Sequence, residues 1–326
     1  MIWAFLLLVV FQAISGWNDG GNLLGLFQQA VPKPWLSFFL LVVGIALGPL
    51  ILGTGVAHTI GRDIIVLKAG DIYVLNEALV ATLITLTLSW IIGMPTSTSL
   101  ALVGGLMGTA WVSLGLSSIH WHGFFMTVLS VALSITLGFF AGTGLYRVER
   151  RVRNASERPW RPVWIRLSYL LTLAQGVAYG ANDAEKALGL AALLLLISHR
   201  ASAFVVTPSI ILASIVVWMI GCLFGGQRIA KTVGGAFYRL KTKHVVSIQS
   251  AAAIVVVTAA ALGGPVSTTQ TIGSALIGVG NTLRHQRVNR AKAAMLFAAW
   301  GLTLPVAVVI GTITAWIAGI LSGWHV

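Results

Sequence analysis

Charge is scarce in this chain. Only 9% of its 326 residues are Asp, Glu, Lys or Arg, while 57% are hydrophobic. A soluble domain carries about 25% charged residues, so the composition excludes that class and leaves a polytopic helical membrane protein. Acids are the rarest charged type, with 8 Asp and Glu against 21 Lys and Arg. The basic excess is not a nucleic-acid footprint, because it clusters in loops between apolar segments, as membrane topology demands. A single cysteine, Cys222, excludes an internal disulfide, and its apolar surroundings read as packing. The seven histidines form no metal-binding pattern, and neither a nucleophile–base pair nor a soluble catalytic domain is present, so the chain does not read as an enzyme. No Lys or Arg precedes the apolar residues 2–11, and that run continues into a polar motif, which argues against a cleaved signal peptide.

What is present is a duplication. Gly16-Trp17-Asn18-Asp19-Gly20-Gly21-Asn22-Leu23-Leu24-Gly25-Leu26 returns as Gly180-Ala181-Asn182-Asp183-Ala184-Glu185-Lys186-Ala187-Leu188-Gly189-Leu190, with six of eleven positions identical. Gly93-Met94-Pro95-Thr96-Ser97-Thr98-Ser99 is echoed by Gly263-Gly264-Pro265-Val266-Ser267-Thr268-Thr269, and Ala57–Gly61 more weakly by Ala230–Gly234. The apolar runs are long and continuous, unlike the short alternating segments of a barrel. The 36 glycines suit closely packed membrane helices. Two repeats are expected, 1–146 and 167–326, joined by a basic linker at 147–166.

Charge sets the expected orientation. The linker holds seven arginines, 226–244 five basic residues, 284–292 four, and Lys33 one more. Placing all seventeen in the cytoplasm puts the equivalent loops 61–71 and 226–244 on opposite sides, which requires an odd number of crossings per repeat. The expected fold is therefore all-α with two inverted repeats, each of about three spanning helices plus a re-entrant helical hairpin. The hairpins would be 72–116 and 245–282, with their Pro-Ser-Thr tips near mid-membrane and both chain termini outside the cytoplasm.

A carboxylate at bilayer depth costs roughly 2.5–3.5 kcal/mol on insertion scales and marks a functional site by default. Asp19 and Asp183, with the amides of Asn18 and Asn182, offer hard oxygen ligands for sodium or another coupling cation. The flanking glycines are expected to unwind the helix and free carbonyls. At the hairpin tips, Thr96, Ser97, Thr98, Ser267, Thr268 and Thr269 surround helix N-termini, which bind anions through free N–H groups and a partial positive charge. Two facing tips would enclose a small oxyanion, and an anion near two carboxylates binds only with cations or protons. Asn22, Lys186 and Glu185 are auxiliary candidates. Lys186 either supplies a fixed positive charge or pairs with Glu185; the sequence does not separate these. Glu77 lies in the first hairpin arm with no acidic counterpart in the second half. No bound cofactor is implied.

At these residues the chain resembles the inorganic phosphate transporter (PiT) family. Tyr179-Gly180-Ala181-Asn182-Asp183-Ala184-Glu185-Lys186 is similar to that family's Gly-Ser/Ala-Asn-Asp-Ala-Gln-Lys motif, and Gly16–Asn22 to its first-half counterpart. Arg228–Gly234 and the run from Pro265 to Gly280 resemble further family stretches. The resemblance implies symport of inorganic phosphate with sodium or protons, an inverted-repeat fold, a homodimer and a multi-pass location in a cytoplasmic membrane. It places phosphate between the tips, with Asn18, Asp19, Asn182 and Asp183 near the cation. Hydroxyl and N–H groups alone leave another tetrahedral oxyanion, sulfate above all, as the alternative. Three departures stand out: Leu100 and Gln270 replace the histidine common after each tip, and Glu185 replaces a glutamine.

Overall fold

The computed structural model describes residues 2–68, 70–152, 159–235, 240–283 and 289–323. Among these residues the protein is all helical, apart from one isolated bridge between Ile65 and Ile119. Among the described residues, seven helices are long and apolar enough to cross a membrane. Exposed Leu, Ile, Val, Phe and Trp side chains cover the outer surface, as a lipid-facing shell requires.

In the first half, α1 (Ile2–Ser15) and α2 (Gly21–Ala30) are joined through one π-helical turn, Gly16–Gly20. Next come α3 (Pro34–Leu52), α4 (Gly55–Arg62), a hairpin of α5 (Ile72–Ile92) and α6 (Thr98–Leu114), and the long α7 (Trp121–Val152). In the second half, α8 (Arg161–Tyr179) and α9 (Glu185–Ile197) are joined through a π turn at Gly180–Ala184. The remaining elements are α10 (Pro208–Gly235), a hairpin of α11 (Thr242–Ala261) and α12 (Thr268–Asn281), and α13 (Arg290–Leu321).

The halves interlock. α3 packs on α8, while α10 packs on α1, α2 and the first π turn. Likewise α6 of the first hairpin packs on α13, and α12 of the second hairpin packs on α7. Every repeat thus completes the other's core. Small residues permit close crossings: a Cβ on Gly44 would lie 2.7 Å from Gly176 Cα, and one on Gly21 would lie 2.6 Å from the Gly226 carbonyl oxygen.

Several sequence expectations need correction. The π turns keep helical backbone on both sides, so the Asn-Asp motifs are not unwound. Their glycines serve close packing instead: Gly16, Gly20 and Gly21 all lie against α10. The helix breaks at Gly53 (φ 81°) between α3 and α4, whereas α10, which carries the matching Ala230–Gly234, is continuous. Helix extends into both ends of the linker 147–166. Arginines are good helix formers, and α7 runs to Val152 while α8 starts at Arg161. α7 is therefore about 48 Å long at 1.5 Å per residue, enough to carry its arginines beyond a hydrocarbon core of about 30 Å. The loop at 226–244 likewise shrinks, since α10 continues to Gly235. Linker residues 153–158, loop residues 236–239 and 284–288, and His325 lie outside the described residues.

Candidate functional site

The two chain reversals are built alike. Gly93 (φ 76°) and Gly263 (φ 70°) end α5 and the turn after α11 in left-handed conformations, where a side chain would be strained. Pro95 and Pro265 come next. Ser97 then caps α6, accepting the Leu100 N–H at 3.1 Å, and Ser267 caps α12, accepting the Gln270 N–H at 3.4 Å. Residues 96–99 and 267–270 are all buried. The elbows touch directly, with the Ser99 hydroxyl donating to the Val266 carbonyl at 2.7 Å.

Each Asn-Asp motif grips its own elbow. The Asn18 amide donates to the Thr96 carbonyl at 2.7 Å and accepts the Thr96 N–H at 3.3 Å. The Asn182 amide repeats the clamp, donating to the Gly264 carbonyl and accepting the Val266 N–H, both at 3.3 Å. Both ends of each amide thus hold backbone that no helix satisfies, which removes orphan groups at depth.

The carboxylates lie one residue on, both 1% exposed. Asp19 accepts four bonds from neutral donors: Ser15 at 2.9 Å and Thr98 at 3.1 Å on Oδ2, Asn18 at 3.1 Å and Thr269 at 2.9 Å on Oδ1. Asp19 therefore touches both elbows. Asp183 accepts from Thr268 on one oxygen and is ion-paired to Lys186 on the other. Lys186 reaches on to the Thr98 hydroxyl at 3.4 Å, so Thr98 links the two acidic sites. Asn22, three residues after Asp19 as Lys186 is after Asp183, reaches across to Thr269 at 2.8 Å. The sequence-derived set of Thr96, Ser97, Thr98, Ser267, Thr268, Thr269, Asn18, Asp19, Asn182, Asp183, Asn22 and Lys186 is thus one contiguous buried cluster.

A model of the phosphate transporter family matches this chain over residues 15–171 and 153–311. This chain belongs to the phosphate transporter family. Among curated proteins, it is similar to a probable low-affinity inorganic phosphate transporter of Bacillus subtilis, at 29% identity over 96% of this chain and 95% of that protein. A protein of the same description from Mycobacterium tuberculosis is 30% identical over 98% of this chain and 79% of its own length. Among solved structures, one described as the sodium-dependent phosphate transporter superposes with a TM-score of 0.85 at 19% identity, covering 98% of both chains. That likeness shows a shared fold.

Within this phosphate transporter fold, Glu185 stands apart from the cluster. It does not pair with Lys186, because adjacent helical residues point in different directions. Its Oε2 accepts the Ala57 N–H at 3.0 Å, near the N-terminus of α4, and its Oε1 has no partner among the described residues. The break between α3 and α4 leaves those N–H groups unsatisfied by their own helix, and Glu185 meets the need from α9. Leu100 and Gln270, at the two departing positions, are both buried, and among the described residues neither amide atom of Gln270 finds a partner. Glu77 is remote from the elbows; Ser113 donates to it at 3.1 Å, and it borders a separate cavity of about 460 Å³ with Tyr73 and Trp316.

Sequence reading missed three supports. Ser15 precedes Asp19 by one turn, a spacing that could have shown it. Trp300 donates its indole N–H to the Pro95 carbonyl at 3.2 Å, and Thr303 bonds the Thr96 hydroxyl. Both come from α13 in the other half, so no local pattern marks them. Arg228, read as a loop charge, sits in α10 and donates to the Ile91 carbonyl at the end of α5. A cavity of about 500 Å³, lined by Thr59, Asp63, His120, Thr127 and Ser130, reaches the second elbow at Gly263–Pro265.

Proposed function

We propose that this protein is a secondary transporter that carries inorganic phosphate into the cell together with a coupling cation, sodium or a proton. The single observation that carries this reading is the setting of Asp19. It is a fully buried carboxylate, and among the described residues no cation lies within ion-pair distance of it. It stands where two helix N-termini and their hydroxyls converge. The elbows supply donors for a tetrahedral oxyanion. The carboxylate repels that anion in a poorly screened interior unless a cation or proton arrives with it. Coupled movement of anion and cation is the consequence of these charges. The family's substrate and the relatives' descriptions support phosphate. A protonated phosphate can also donate to Asp19, which sulfate cannot.

In this reading Asn18, Asp19, Asn182 and Asp183 form the cation-coupling region, while Thr96, Ser97, Thr98, Ser267, Thr268 and Thr269 face phosphate. The repeats are inverted, with each hairpin re-entering from one side and both termini extracytoplasmic. The protein works as a homodimer in the cytoplasmic membrane. Alternating access is a rocking of one set of elements about the shared elbows. The cavity at Gly263–Pro265 borders the second elbow.

Reconstitution into proteoliposomes, with sodium and proton gradients imposed separately, tests the coupling. Labelled phosphate accumulates under one gradient and not without it. Accumulation independent of both overturns the symport reading. Strong inhibition by excess sulfate overturns the choice of phosphate.

A further inference from the structure

The two acidic sites occupy equivalent positions but carry different companions. Three residues after Asp19 comes Asn22, a neutral amide that donates to Thr269 of the opposite elbow. Three residues after Asp183 comes Lys186, an ammonium that contacts Asp183 and reaches Thr98 of the opposite elbow. The reach across to the other half is the same; the charge is not. Lys186 is 0% exposed and Asp183 is 1% exposed, so this pair is closed from water. Asp19, equally buried, is held among the described residues only by hydroxyls and one amide. Glu185, the neighbouring acid, faces α4 through its bond to the Ala57 N–H and does not share Lys186.

We propose that Lys186 is a tethered counter-cation that fills the second acidic site, so that one fewer mobile cation accompanies each phosphate than two carboxylates without a fixed counter-charge would require. A buried charge must be compensated. At Asp19 the compensation must come from solution with each transport cycle. At Asp183 it is covalently attached to the chain and stays behind when phosphate leaves. The difference between Asn22 and Lys186 thus sets the coupling number. This inference rests on the cation-coupled reading above.

The test counts cations directly. Binding of labelled orthophosphate to purified protein is measured at graded concentrations of the coupling cation, and the slope of log affinity against log cation concentration gives the number bound with phosphate. Lys186→Asn leaves Asp183 without its counter-charge, so the slope rises by one. The double variant Asp183→Asn/Lys186→Asn removes both charges, so its slope falls by one from that of Lys186→Asn. The same pattern is expected in the zero-flux gradients of reconstituted protein. If Lys186→Asn fails to bind phosphate at any cation concentration while the double variant binds, the proposal also stands, because an uncompensated Asp183 repels the anion. A weaker phosphate affinity with an unchanged slope in Lys186→Asn overturns it, since Lys186 would then grip phosphate itself. Loss of binding in both variants overturns it as well. A wild-type slope of zero for sodium and protons alike would instead sink the symport reading, so the two failures are distinguishable.

Discussion

Replacing Asp19 with Asn removes one charge and almost no volume. The contacts around the side chain set the cost to folding. The Oδ1 side faces the Asn18 amide and Thr269, and the Oδ2 side faces Ser15 and Thr98. The Asn18 amide is a donor only at that contact, so the new side-chain NH2 turns to the other side, where both partners are hydroxyls that rotate and accept. Net hydrogen bonds of this kind are worth about 1 kcal/mol each, so the folded state loses about 1 kcal/mol or less. The cation loses far more. A carboxylate–cation contact at about 4 Å, with an effective dielectric near 20, is worth about 4 kcal/mol. At about 1.4 kcal/mol per decade this is roughly a thousandfold. Asp19→Asn is therefore expected to cut cation-driven phosphate uptake by about three decades, while the thermal midpoint in detergent barely moves. Uptake within tenfold of wild type at equal folded protein would refute the reasoning. So would a loss of uptake that merely tracked a loss of folded protein.

The clamps and the helix packing carry two further outcomes. Asn182→Ala releases the Gly264 carbonyl and the Val266 N–H at the second elbow; losing two buried bonds lowers stability by about 2 kcal/mol, and phosphate KM in uptake assays is expected to rise along with the lower thermal midpoint. Gly44→Val pushes side-chain atoms into α8, where even a Cβ meets Gly176 Cα at 2.7 Å; overpacking of this kind costs about 1–3 kcal/mol, read as a smaller monodisperse peak in size-exclusion chromatography.

Much of the candidate site was legible because its chemistry is unusual for its surroundings. Acids and amides within apolar runs stand out, and their duplication at matched spacing marks Asn18, Asp19, Asn182 and Asp183 without any coordinates. The Pro-Ser-Thr breaks were equally plain, since a proline followed by a capping residue ends one helix and starts another. What the chain order could not give was the partner of each group. Ser99 on Val266, Trp300 on Pro95 and Thr303 on Thr96 join residues 167 to 207 positions apart. The amide clamp could not be read either, because an asparagine beside an aspartate looks the same whether it binds an ion or a backbone.

The sequence by itself determined that this is a helical membrane protein built from two related halves, each with a buried acid and a polar break. Apolar content, charge placement and repetition are properties of the chain, and transfer between water and lipid acts on them one residue at a time. Only the tertiary structure decided that Lys186 turns to Asp183 rather than Glu185, and that Glu185 serves α4. It alone showed that the Asn-Asp motifs stay helical through a π turn, and that α6 and α12 each complete the opposite half. Those choices depend on which helices cross closely enough to share a hydrogen bond, and that is settled by packing among residues far apart along the chain.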